Sequence, residues 1–69
     1  MVDWDKVVGT NVRRLRKERG LTQEDLAFET GLTMRYVGMI ERAEASVTVR
    51  VLGKLGAALG VEPANLFKR

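Results

Sequence analysis

Residues 13 to 19 read Arg-Arg-Leu-Arg-Lys-Glu-Arg, which puts five of the chain's twelve basic residues in seven positions. A stripe this dense can neutralise phosphates and make binding depend on salt. It equally suits a solvated helix face whose cations complement the negative end of a helix dipole, and charge alone does not separate the two readings. Two further residues bear on the same chemistry. Gln23 follows a Leu-Thr pair, at the expected first position of a helix, where free backbone amides favour a phosphate. Arg35 follows a second Leu-Thr pair closely, and a guanidinium can fork onto O6 and N7 of guanine. Other chemistries find little support. The chain has no histidine and no cysteine, so it lacks the common transition-metal ligands and any disulfide. Its acids are scattered, and Gly53, Gly56 and Gly60 sit within or after a helical pattern, not in a phosphate-cradling loop after a strand. No enzyme, metal, cofactor or small-molecule ligand is expected.

The elements that must position these residues are marked by one recurring unit. An aliphatic residue, a threonine and a second aliphatic recur at fixed spacing: Leu21-Thr22 with Leu26, Leu32-Thr33 with Val37, and Val47-Thr48 with Leu52. Threonine as N-cap satisfies an orphan amide of the first turn, and the apolar pair staples the entry. The first two units lie eleven residues apart, with Gly31 between them. That spacing predicts a short helix, a glycine turn and a second helix, the layout of a helix-turn-helix.

Five helices follow from the pattern. The first runs from about Asp3 to Arg19 with Trp4, Val8, Val12 and Leu15 on one face, and Gly20 ends it. The second starts after Thr22, turns Leu26 and Ala27 inward, and permits a capping box with Asp25. The third starts after Thr33, buries Val37 and Ile40, and fades near Ala43. The fourth starts after Thr48 with Leu52, Leu55 and Leu59 as its stripe, and Gly60 closes it. Close packing would account for Gly56 within it. The fifth begins at Pro63 and offers Leu66 and Phe67. The expected fold is all-α, one compact five-helix domain over residues 1–69.

Length and composition fit that picture. Sixty-nine residues with 45% apolar content make one small globular domain. The net charge of +3 is modest. Apolar runs are too short to span a membrane. The N-terminal stretch has acids at Asp3 and Asp5 and no apolar block after its first lysine, unlike a signal peptide. A cytoplasmic location is the resulting expectation.

The segment Val8-Gly9-x-x-Val12-Arg13-x-Leu15-Arg16, followed by Gly20-Leu21-Thr22-Gln23-Glu24-Asp25-Leu26-Ala27, resembles the Cro and phage-repressor type of helix-turn-helix, the Xre family. Tyr36-Val37, Ile40-Glu41-Arg42 and Ala58-Leu59-Gly60-Val61 before Leu66-Phe67 continue the resemblance, which is nearest to restriction–modification controller proteins. It implies a repressor-like domain that binds double-stranded operator DNA as a homodimer and regulates transcription. Thr33, Met34 and Arg35 then open a recognition helix, with Gly38 and Met39 one turn on, as the candidates for base readout. Arg35 competes between a base and a phosphate. Met34 could touch a thymine methyl or lie on open surface, and Gly38 could admit a close backbone approach. The few hydrogen-bonding groups leave room for readout of DNA shape. Arg13, Gln23, Tyr36 and Arg42 are the phosphate candidates. Tyr36 is placed by the resemblance near the DNA backbone, or else packed under the second helix.

The resemblance also pairs Arg16 with Glu41 between the first and third helices, a structural pair. Family members often carry glycine, arginine and asparagine after the third helix; Ala43-Glu44-Ala45-Ser46 stands there instead, which removes a customary cation and leaves Arg50 as a substitute. Val61, Leu66 and Phe67 are read as core plus dimer contacts, and so are the dimer candidates. The same apolar residues support an alternative: a protein-interaction module, such as an antitoxin, docking a partner through its C-terminal surface.

Overall fold

Three threonine hydroxyls start three helices. Thr22, Thr33 and Thr48 have extended backbone, and their oxygens accept the amides of Asp25, Tyr36 and Val51 at 3.0, 3.0 and 3.1 Å. In the computed structural model, which describes residues 1–69, these caps open α2 (Gln23–Thr30), α3 (Met34–Glu41) and α4 (Val49–Leu59). Ahead of them runs α1 (Trp4–Glu18), whose own cap is Asp3, accepting the Lys6 amide at 3.2 Å. The Thr22 box is complete: the Thr22 amide returns a bond to the Asp25 carboxylate at 2.9 Å. That donated hydrogen bond holds the Asp25 carboxyl below the usual carboxylate range.

The fifth expected helix is a 3₁₀ turn, Pro63–Phe67. Its amides reach back three residues, Asn65 to Glu62 at 2.9 Å and Lys68 to Asn65 at 3.4 Å. Five residues opened by a proline are too few to settle into the wider α spacing. The regular fold is therefore four α-helices without strands. No helix is long and apolar enough to cross a membrane.

Each helix contributes to a single core: Val8 and Val12, Leu26 and Ala27, Val37 and Ile40, Leu55 and Leu59, with Leu66 from the 3₁₀ turn. Leu15 and Leu52 pack at its edge. Trp4 does not join it. At 48% exposure it lies on the rim, edge-on to Phe67 with ring centroids 6.1 Å apart, because the first residue of α1 projects beyond the helices that cover Val8 and Val12. Two glycines mark close approach. A Cβ on Gly9 would collide with the Ile40 carbonyl oxygen, so α1 and α3 cross nearly in contact there. A Cβ on Gly56 would lie 2.8 Å from the Val61 carbonyl oxygen, where the chain folds back after α4. Nothing in the structure explains Gly53, which faces open space.

Three helices stop the same way. The amides of Leu21, Val61 and Glu44 reach back to the carbonyls of Arg16, Gly56 and Met39 at 3.0, 2.9 and 2.8 Å. Each closure needs a left-handed residue, Gly20 and Gly60 at φ +71° but Ala43 at φ +59°. A side chain costs about 1–2 kcal/mol in that conformation, and glycine's extra chain entropy returns about half of it. Ala43→Gly should therefore stabilise the fold by up to about 1 kcal/mol, a rise in melting temperature of roughly 4 °C in a domain this small. A calorimetric scan with no rise would show that the strain at Ala43 does not exceed the chain entropy that glycine costs.

Candidate nucleic-acid interface

The turn between α2 and α3 is locked by its own side chains. The buried Thr30 hydroxyl donates to the Leu26 carbonyl at 2.8 Å and accepts the Leu32 amide at 3.3 Å, and Gly31 turns left-handed at φ +74°. With Val37 and Ile40 buried, α3 rests on α1 and α2 and presents its opening turn outward. Thr33, Met34 and Arg35 are all exposed there, and Arg35 has no ion-pair partner. Met39 is half-buried one turn on.

Beneath this surface lies a fixed charge network. Arg16 donates to Glu41 through Nε at 2.6 Å and Nη2 at 3.1 Å, and its Nη1 donates to the Leu21 carbonyl at 2.8 Å. The two side chains are 10% and 3% exposed. The hydrogen bonds to Glu41 raise the Arg16 pKa further above its already high value. Gln23, the first residue of α2, joins them: its Nε2 donates to Glu41 Oε1 at 3.1 Å. One of the two amide hydrogens is thereby used, leaving the second for an outside acceptor. At the far end of α3, exposed Arg42 pairs with Glu44 at 3.1 Å.

An amphipathic three-helix frame with a locked turn before an exposed helix start has relatives of known structure. The sequence pattern of the helix-turn-helix family HTH_3 matches residues 12–66. The chain belongs to this helix-turn-helix family. It is 42% identical over 94% of its length to an uncharacterized HTH-type transcriptional regulator of Sinorhizobium fredii, of which it covers 84%. Among solved structures it superimposes on the restriction-modification controller protein C.AhdI of Aeromonas hydrophila with TM-score 0.88 and 43% identity, over 91% of this chain and 96% of that one. The biofilm regulator SinR, solved in complex with DNA, matches with TM-score 0.83 and 29% identity, over 88% of this chain and 98% of SinR.

Within this helix-turn-helix frame several sites differ from the sequence expectation. Gly38 is buried and offers no open backbone: Arg42 Nη1 lies 3.0 Å from where its Cβ would be. The Tyr36 ring packs against the edge of the core, and its hydroxyl, at the surface, donates to the Ser46 carbonyl in the α3–α4 loop at 3.2 Å. Leu66 is fully buried and cannot serve a dimer or any other partner, because the 3₁₀ turn points it into the core. Val61 is half-buried, and Phe67 remains 39% exposed beside Trp4. Arg13 stands exposed on α1 without an ion pair, as does Arg50 in the first turn of α4.

Sequence reasoning missed Asn11. Buried in α1, it donates to the carbonyls of Leu66 at 2.8 Å and Lys68 at 2.7 Å, so it clamps the C-terminal turn onto the first helix. The available signal was a polar residue between two core positions of one stripe, Val8 and Val12.

Proposed function

We propose that this chain is a sequence-specific DNA-binding transcriptional regulator, not an enzyme, and that α3 enters the major groove of a two-fold symmetric operator. The observation that carries the reading is the opening turn of α3: Thr33, Met34 and Arg35 stand exposed on a helix fixed from behind by the Arg16–Glu41 pair, with the Arg35 guanidinium unpaired. N-terminal residues of a recognition helix are the ones that reach base edges. The likeness to SinR, solved with DNA, and to C.AhdI supports the same reading. A cytoplasmic location goes with it.

Arg35 is assigned to a base edge, with Thr33, Met34 and Met39 beside it. Arg13, Gln23 and Arg42 are assigned to phosphates, which set register without reading sequence. One such helix reads too few bases for useful specificity, so two copies should bind half-sites about 34 Å apart. Val61 and Phe67, together with Trp4, supply the apolar surface proposed for that dimer. Burial of Leu66 removes much of the C-terminal surface that docking a different protein would need.

Footprinting on DNA upstream of the chain's own gene, with sedimentation of the complex, tests the reading. The expected result is a dimer protecting two half-sites one helical turn apart. A monomer protecting an isolated half-site overturns the two-fold arrangement, and equal affinity for operator and random duplex overturns sequence-specific binding altogether.

A further inference from the structure

At the end of α3, Arg42 is held by two neighbours that have no part in the phosphate contact itself. Arg42 is the last residue before the left-handed turn at Ala43, and that turn carries the Glu44 amide back to the Met39 carbonyl at 2.8 Å. The Glu44 carboxylate thereby meets Arg42 Nε at 3.1 Å. At the other edge of the guanidinium, Nη1 rests over Gly38, 3.0 Å from where a Cβ would stand. The Gln23 side-chain oxygen borders the same spot at 3.6 Å. The cation is therefore drawn back along α3 toward the first residue of α2, where a phosphate contact is expected.

We propose that Gly38 and Glu44 set the strength of DNA binding through Arg42: Gly38 is the seat of its guanidinium on α3, and the Glu44 carboxylate occupies the place that a DNA phosphate takes. This rests on the DNA-binding reading above. A carboxylate and a phosphate offer the same kind of charged acceptor oxygens to a guanidinium. The Arg42–Glu44 pair is more than half exposed on both sides, at 57% and 54%. Exposed pairs are weak, so this one can be exchanged for a phosphate and still lower the net gain on binding. Gly38 acts differently. Alanine is the better helix former, so the absence of a side chain there forgoes stability that an ordinary buried helix position would keep.

The test is fluorescence-anisotropy titration of labelled operator and random duplexes at several salt concentrations. Glu44→Gln should bind both duplexes about two- to fivefold more tightly at low salt, an advantage that fades as salt rises. Arg42→Ala should bind both more weakly and lower the salt slope by about one. In the Arg42→Ala background, Glu44→Gln should bring no gain; a gain that persists means direct repulsion of DNA by Glu44 and overturns the proposal. Gly38→Ala displaces only the tip of a flexible side chain, so it should melt at or above the wild-type temperature yet bind like Arg42→Ala. Wild-type affinity in a folded Gly38→Ala variant removes the seat. Operator binding by the wild type with Glu44→Gln unchanged overturns this inference alone, whereas a wild type that binds neither duplex overturns the DNA-binding reading with it.

Discussion

Glu41→Ala should lower the melting temperature by about 12 °C or more. The Glu41 side chain is 3% exposed, and its carboxylate accepts two hydrogen bonds from Arg16 and one from Gln23. Without it, the guanidinium of a side chain that is 10% exposed keeps a single partner, the Leu21 carbonyl. Removing one member of a buried pair typically costs about 3–5 kcal/mol, because the other is left desolvated and unpaired. A domain of this size commonly holds only a few kcal/mol in reserve, and each one moves the midpoint by about 4–8 °C. Glu41→Gln retains the acceptor oxygen and should fall between. Replacing Arg16 and Glu41 together by apolar residues of like size should recover much of the loss, since the penalty belongs to the stranded charge and not to the absent pair. A Glu41→Ala protein melting within a degree or two of wild type would show that water reaches the Arg16 guanidinium.

What could be read in the sequence was whatever is decided within a few residues. Thr22, Thr33 and Thr48 could be placed because a cap and its staple lie inside one turn, and the hydroxyl contacts are local. Gly20 and Gly60 could be placed because a left-handed helix end has few candidate residues. Periodicity locates the apolar face of α1 but not where cover ends, so it puts Trp4 on the same face as Val8 although the core starts only at Val8. Asn11 was invisible for another reason. Its two acceptors lie 55 and 57 residues away, and no local pattern announces a partner at that distance. The same limit leaves Leu66 open between core and dimer contact in the sequence, whereas Asn11 holds its turn against the core. At the proposed interface, residue types suggested cations near α3, yet the link from Arg42 to Gly38 depends on the left-handed Ala43. A sequence shows that residue only as an ordinary alanine.

Arg35→Ala should weaken binding to the operator alone, and Arg13→Ala binding to every duplex. Both are exposed and neither has an ion pair to give up, so their free-protein costs are alike and the contrast comes from DNA alone. Arg35 stands in the first turn of α3, where a side chain entering the major groove meets base edges; Arg13 stands on α1, whose basic stripe is expected along the phosphates. A bidentate contact to guanine discriminates against a wrong base by about 1–3 kcal/mol. Arg35→Ala should therefore cost about that much on the operator, leave random duplex nearly unaffected, and relax preference at one base position. Arg13→Ala should weaken operator and random duplex alike and reduce the salt slope by about one. Competition titrations with single-base operator variants separate the two patterns. If Arg35→Ala weakens every sequence equally, its guanidinium holds a phosphate. Discrimination must then come from Met34 and Met39 against thymine methyl groups, or from the cost of deforming the DNA between half-sites.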